Sequence, residues 1–363
     1  MSKGQEKIKI AILGYGNLGK GAELAVLSAK DMQLTNIFTR RAPEAVKAVR
    51  KETRVLSAEL LDKPGSGFEV PDVLLVCGGS ATDLPILSPK YAEKYNIVDS
   101  FDNHAQMQAH FDRVDRSALK GGKLALIAAG WDPGLFSMLR AMYEALLPNG
   151  RSLTFWGEGI SQGHSDAIRR LEGVIDARQY TVPKRELLEE IRRSAFAREN
   201  DGSLRTAEKT VLMAEELESS ESRHERKCFV AVDEDADRER IRDEIIHMPS
   251  YFEGYRTEVN FVTQQELYRN HGRLPHGGTV IRTGSSACEL SDVNLAGGRN
   301  KVLMDFSLKL DSNPEFTAGI MTAYARAVYR MARSGAVGCR SVFQIPLQEL
   351  FCGAHDDMIK CFL

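Results

Sequence analysis

Ile8-Lys9-Ile10-Ala11-Ile12-Leu13-Gly14-Tyr15-Gly16-Asn17-Leu18-Gly19 decides the fold of the first half of this chain. Residues 8–13 form a short run rich in β-branched and aliphatic side chains, the signature of a buried strand. It stops at Gly14, and an apolar-periodic stretch follows the glycines to about Lys30. Strand, glycine turn and helix is the order that a Gly-x-Gly-x-x-Gly motif needs to hold a dinucleotide. One glycine makes the tight turn, one lets the backbone approach a pyrophosphate, and one lets helix and strand pack closely. The open helix N-terminus offers free N–H groups and a positive dipole. The motif alone is a weak signal. In this context it predicts a Rossmann-type unit, with Gly14, Tyr15, Gly16, Asn17 and Leu18 lining the cofactor.

A second strand is expected from about Leu34 to Thr39. It ends in Thr39-Arg40-Arg41, where an NAD enzyme usually places an acid against the ribose 2′-OH. Two planar guanidinium groups suit a 2′-phosphate instead, so the cofactor expected is NADP; a solvated basic turn is the plainer alternative. A third strand is expected at Val73 to Val76, leading into Cys77-Gly78-Gly79-Ser80-Ala81-Thr82-Asp83. Gly79, Ser80 and Thr82 then fall near the ribose and pyrophosphate. Further strands are expected at Asn96 to Asp99 and Leu124 to Ala128. They run into Ser100-Phe101-Asp102-Asn103-His104 and Gly130-Trp131-Asp132-Pro133-Gly134, where catalytic loops sit in such folds. Strands alternating with helices predict an α/β fold with a doubly wound parallel sheet.

The chain has 363 residues, enough for two domains. Its net charge of −2 and pI near 6.5 give no basic footprint for nucleic acid. No apolar run approaches the roughly 20 residues that span a bilayer, so no membrane partner is expected. Met1 to Lys9 lack an apolar signal core, and a cytoplasmic location is expected. The six cysteines contain no Cys-x-x-Cys pair, so free thiols and no metal site are expected.

After Trp131 the pattern changes. Arg151–Gly157, Cys228–Val232, Tyr255–Val262, Thr279–Thr283 and Lys301–Leu310 read as longer, better-alternated strands of a mixed or antiparallel sheet in a second α+β domain. Lys184–Arg198 and Thr206–Glu218 read as charged, solvated helices, with an exposed loop at Glu199–Ser203 between them. Asn313-Pro314 starts a helix through about Ser334.

Several segments combine polar and aromatic residues without core periodicity. Besides the loops at Phe101–His104 and Gly130–Gly134 they are Phe155-Trp156-Gly157, Ser161-Gln162-Gly163-His164-Ser165, His224-Glu225-Arg226, Pro275-His276-Gly277-Gly278 and Asp311-Ser312-Asn313-Pro314. Singly each has a bland reading: a hydrogen-bonded His164, a helix-start turn at residues 311–314, two core tryptophans. Together they resemble the meso-diaminopimelate D-dehydrogenases over nearly the whole chain. The chain departs from that pattern in extra residues around Glu199–Glu221 and Ser285–Asn300.

The resemblance implies reversible oxidative deamination. The D-configured carbon of meso-diaminopimelate gives a hydride to NADP, and the imine hydrolyses to L-2-amino-6-oxopimelate and ammonia, in lysine and cell-wall precursor synthesis. It implies a homodimer with a domain-closing motion. Residues 1–130 would form the NADP-binding domain, with about 314–363 packing back onto it, and 131–313 the substrate-binding and dimerisation domain. Asp102 and Asp132 are assigned to the amino group of the reacting carbon, and Trp131 and Trp156 to walls around the aliphatic chain. Arg226, Thr181, His276 and Asn313 would bind carboxylate at the distal L-centre, with Gln162 and Gly163 also against substrate. Phe101, Asp102 and Trp131 would also line the cofactor. The acid–base group stays open among His164, Asp132 and Asp102. Two alternatives compete. One is a related oxidoreductase acting on a hydroxyl or semialdehyde, whose usual Lys is missing from both loops. The other is an NADP sensor without turnover.

Overall fold

A computed structural model describes residues 6–65, 67–196, 219–249, 251–285 and 301–363. The loop expected at 199–203, the helix expected at 206–218, Cys288 and nearly all of the two extra segments lie outside the described residues. The chain divides into two units, one of residues 1–138 with 314–363 and one of residues 139–313.

The first unit is built on seven parallel strands. They are β1 (Ile8–Leu13), β2 (Met32–Thr39), β3 (Arg54–Ser57), β4 (Val73–Val76), β5 (Ile97–Asp99), β6 (Leu124–Leu126) and, from the C-terminal part, β14 (Gly338–Arg340). Their order in the sheet is β14-β6-β5-β4-β1-β2-β3. Alternate side chains of a strand face opposite sides. Ile10, Ile12, Val73 and Leu75 join one apolar cluster, and Ala11, Leu13, Leu74 and Val76 join another. Both faces are therefore covered, which is why these strands read as unbroken apolar runs. Each fully buried aliphatic side chain contributes about 1.5–3 kcal/mol. The chain runs outward from β1 in both directions, so the carboxyl ends of β1 and β4 flank the point where strand order reverses, the usual ligand position in open α/β sheets.

The C-terminal part returns to this unit through the helix Asn313–Arg333. A Cβ on Gly21 would lie 2.9 Å from the Pro314 carbonyl oxygen, so the bare glycine permits close approach. Arg326 then pairs with both carboxylate oxygens of Asp31, at 2.5 and 2.8 Å.

One expectation about this sheet is corrected. Val73–Val76 is the fourth strand in the chain, because Arg54–Ser57 pairs with β2 at the sheet edge. None of its four residues is buried, and the strand is too short to show a period. The last strand, Gly338–Arg340, is likewise too short for a pattern.

The second unit holds two sheets rather than one. β7 (Gly150–Trp156), β12 (His276–Ser285) and β13 (Lys301–Leu310) form an antiparallel sheet of order β13-β12-β7. β8 (Gly159–Ile160), β9 (Val174–Pro183), β10 (His224–Val232) and β11 (Arg256–Phe261) form a mixed sheet of order β11-β10-β9-β8. Its β10 is antiparallel to β9 and parallel to β11. The sequence reading missed β8 and β9; Asp176, Arg178 and Gln179 interrupt the apolar signal of β9. The helix Arg185–Ser194 is shorter than expected and not solvated all round. Its Leu188 and Ile191 pack on Leu153, Phe155 and Ile281.

Candidate functional site

The glycine turn has the geometry its spacing predicts. Gly14 sits at φ +93°, and a Cβ there would lie 2.7 Å from the Cys77 carbonyl oxygen. A Cβ on Gly19 would lie 2.1 Å from the Gly14 carbonyl oxygen, so the helix meets the turn only because position 19 is glycine. Gly16 differs: a Cβ there meets nothing within 4 Å, which leaves space over the helix N-terminus. The helix Asn17–Ser28 has no side-chain cap and no acid in its first turn. Its free N–H groups are therefore available to an anion.

Tyr15 is turned inward. Its hydroxyl donates to the buried carboxylate of Glu23, and burial pushes the phenol up to about 12. Glu23 also accepts from the backbone N–H groups of Val49 and Arg50, both at 3.0 Å, and from the Thr53 hydroxyl. Burial raises the Glu23 carboxyl, but these bonds outweigh it and hold the group below the usual carboxylate range. Only the Tyr15 backbone is left to face a ligand, and its carbonyl accepts from Arg41 at 2.6 Å. Arg40 pairs with Asp83 at 2.7 Å. Asp83 also accepts from the Gly79 N–H at 3.1 Å, so it links the basic turn to the small-residue loop after β4. Thr39 is buried and its hydroxyl oxygen accepts from the Arg41 N–H, shaping the turn. The open helix end, the space over Gly16 and the two guanidinium groups fit a phosphorylated dinucleotide.

At the carboxyl ends of β4 and β5, the Asp102 N–H donates to the Ser80 hydroxyl at 3.1 Å. Asp102 and Thr82 are exposed, whereas Phe101 is fully buried and stacked on His110 at 4.0 Å. The Phe101 ring is therefore a core group, and the sequence reading of it as a cofactor contact can hold only for its backbone. After β6, Trp131 packs edge-on against Phe136, ring centroids 5.1 Å apart, and Asp132 follows half-buried.

In the second unit the register of β9 and β10 sets Arg226 opposite Thr181. The Arg226 guanidinium donates to the Thr181 hydroxyl and lies 3.9 Å over the Tyr255 ring. It is only 6% exposed, its Nε has no hydrogen-bond partner, and no described carboxylate pairs with it. Burial lowers its pKa, against the raising effect of Tyr255. A buried cation without a described counter-charge is costly, and such a group can take an anionic ligand. Tyr255 was missed by the sequence reading, since an aromatic at a strand start carries no signal of what it faces.

Trp156 ends β7, and its backbone N–H donates to His224 Nε2 at 2.7 Å. His224 Nδ1 lies 2.8 Å from the Ser220 carbonyl oxygen, so Nδ1 carries the proton. His164 lies in the first turn of the helix Gln162–Ile168, after exposed Gln162 and Gly163, with Nδ1 2.6 Å from the Ser161 hydroxyl. Burial first, then Arg226, lowers His164 to about 4. His276 opens β12 beside Gly159, where a Cβ would come 2.4 Å from the His276 Cα. The Asn313 N–H donates to the Leu274 carbonyl at 3.0 Å, tying Asn313 to the chain just before His276. Within this unit, then, Thr181 and Arg226 are joined directly and the Ser161–His164 pair is set by one turn of helix.

The family described as the diaminopimelic acid dehydrogenase C-terminal domain matches residues 130–312. A meso-diaminopimelate D-dehydrogenase of Acetivibrio thermocellus is 47% identical over 99% of this chain and 98% of its own. The chain belongs to the meso-diaminopimelate D-dehydrogenase family. Another member, from Lysinibacillus sphaericus, is 44% identical over 93% of this chain and 94% of its own. Among solved structures, the family's C. glutamicum DAP dehydrogenase in complex with DAP is similar at a TM-score of 0.82 and 38% identity, covering 99% of this chain and 100% of that one. An engineered D-amino acid dehydrogenase bound to NADP+ gives a TM-score of 0.78 at 37% identity, covering 98% and 100%.

Proposed function

We propose that this chain is an NADP-dependent meso-diaminopimelate D-dehydrogenase. It converts meso-diaminopimelate, NADP+ and water to L-2-amino-6-oxopimelate, ammonia, NADPH and a proton, and runs in reverse. The observation that carries the reading, beside family membership, is the buried guanidinium of Arg226, bonded to Thr181 and paired with no described carboxylate. A substrate with two carboxylates supplies the missing anion.

NADP, held by the glycine turn and by Arg40 and Arg41, accepts the hydride when bound. Arg226 and Thr181, with His276 and Asn313, bind the carboxylate of the L-centre; Gln162 and Gly163 line the same ligand. Asp102 and Asp132 accept hydrogen bonds from the amino group of the D-centre and orient its C–H bond. Trp131 and Trp156 cover the aliphatic chain and exclude water, which strengthens the polar contacts. His164, lowered to about 4, is neutral at working pH and a weak base. It can hydrogen-bond substrate in that form, and we keep the amine proton among His164, Asp102 and Asp132.

We further propose a homodimer in the cytoplasm, with the second unit, residues 139–313, as the dimerisation domain and main substrate-binding domain. Half-buried Val302, Met304, Leu308 and Leu310 alternate along edge strand β13 and support a partner on that face. Among the described residues, no helix is long and apolar enough to cross a membrane. The test of the reaction is reductive: NADPH oxidation with L-2-amino-6-oxopimelate must require ammonia. Equal oxidation without ammonia would mean the carbonyl itself is reduced to a hydroxyl.

A further inference from the structure

Asp99 is the last residue of β5 and is fully buried. A carboxylate taken out of water needs its acceptor positions filled, and here the donors come from four places. Oδ1 accepts from the backbone N–H groups of Phe101 and Ala128, both at 3.1 Å. Oδ2 accepts from the Ser88 hydroxyl at 2.6 Å and faces His110 Nε2 at 2.8 Å. The Asp99 carbonyl accepts from the Ala129 N–H at 2.9 Å. One oxygen thus bridges two loops. Phe101 immediately precedes Asp102, and Ala128 and Ala129 lead into Gly130-Trp131-Asp132.

Ala128 is also the one described non-glycine residue at positive φ, +59°. L-residues avoid that region, and such a conformation persists only where the surroundings impose it. The Asp99 bond to its N–H is such a constraint. His110 completes the cluster: its ring stacks on Phe101, so the same residue that faces the carboxylate also holds the Phe101 end.

We infer that Asp99, oriented by His110, is a positioning residue that fixes the loops bearing Asp102 and Asp132 relative to each other. The inference rests on the proposed function, because it gives those two aspartates a shared substrate amine. Neither Asp99 nor His110 touches substrate; they act through the two loops.

The test compares full-length variants by kcat and KM for meso-diaminopimelate, NADPH affinity by fluorescence, and thermal melting. Asp99→Ala removes the bridge. Asp99→Asn is isosteric and keeps Oδ1 for both amides. Its Nδ2 can donate to Ser88 and to His110 in the other tautomer, since His110 Nδ1 has no partner to lose. Asp99→Ala is expected to lower kcat by about 10²-fold, the scale of a misplacement near 1 Å, with NADPH affinity within about threefold of wild type. Asp99→Asn is expected to restore kcat to within about tenfold of wild type. His110→Phe keeps the stack but loses the ring nitrogen; kcat is expected to fall about tenfold with NADPH affinity unchanged. This variant decides the matter if Asp99→Ala does not fold. Wild-type kcat in a folded Asp99→Ala, an Asn variant no better than the Ala variant, or wild-type kcat in His110→Phe each overturns the inference. No turnover by the wild-type chain removes the proposed function itself, and this inference with it.

Discussion

Replacing Arg226 by leucine should separate substrate recognition from stability, with opposite signs for the two. In the free protein the guanidinium is 6% exposed, has an unpartnered Nε and meets no described carboxylate. Its compensation is the Thr181 hydroxyl and the Tyr255 ring at 3.9 Å, the latter worth about 2 kcal/mol when desolvated. Burying an uncompensated charge costs several kcal/mol, so an apolar replacement leaves the unliganded protein as stable or more so. Substrate binding goes the other way. A hydrogen bond to a charged group contributes about 1.5–3 kcal/mol, and a forked pair to one carboxylate about 3–4 kcal/mol after overlap. At about 1.4 kcal/mol per factor of ten, kcat/KM for meso-diaminopimelate falls roughly 10²–10³-fold, mostly through KM. NADPH affinity, measured by fluorescence, stays constant. The assay is steady-state kinetics in both substrates beside a melting curve without ligand. A kcat/KM within tenfold of wild type, together with a lowered melting temperature, would make Arg226 a structural cation and refute the reasoning.

Gly19→Ala places a methyl 2.1 Å from the Gly14 carbonyl oxygen and should lower the melting temperature, whereas Gly16→Ala, open to 4 Å, should keep it and weaken NADPH binding. Equal melting temperatures for both variants would contradict the packing role of Gly19. Arg41→Ala should cost about 1.5–3 kcal/mol of NADPH affinity with little change for NADH, and Asp83→Asn, which frees Arg40 from its 2.7 Å pairing, should strengthen NADPH binding. Parallel losses for both cofactors would place Arg41 away from the 2′-phosphate. His164 and His224 are both held neutral, at about 4, chiefly by burial. The unfolded chain, with histidines near 6.5, binds more protons between those limits, so stability is full above about pH 6.5 and falls as pH drops toward 4, by up to about 3 kcal/mol for each. A melting temperature unchanged from pH 7 to pH 4.5 would show that these two imidazoles are not held neutral.

What could be read from the sequence was local. The strand, glycine turn and helix of residues 8–28 are contiguous, and each glycine's reason lies within the segment or one strand away. The two long strands of the antiparallel sheet carry their own alternation. Arg54–Ser57 was too short to show a period, and Val174–Pro183 hides its period beneath charged residues that find partners, such as Asp176 with Arg178 at 2.6 Å. At the site, residue types were legible but orientations were not. Phe101 and Tyr15 stand among polar residues, yet one turns into the core and the other toward Glu23. Glu23 and Asp99 read as ordinary acids because burial and the convergence of distant N–H groups leave no trace in a single sequence. Arg226 was assigned to a carboxylate by resemblance; that it is buried with no described acid partner could be seen only once β9 and β10 were in register.

The most direct test of the central reading is nicotinamide reduction at alkaline pH with the meso and LL isomers of diaminopimelate, each with NADP and with NAD. NADPH formation from the meso isomer alone, with NAD far slower, is the result expected. Turnover of the LL isomer would contradict the choice of a D-centre, and no turnover of either isomer would leave a nucleotide-binding fold without the proposed reaction.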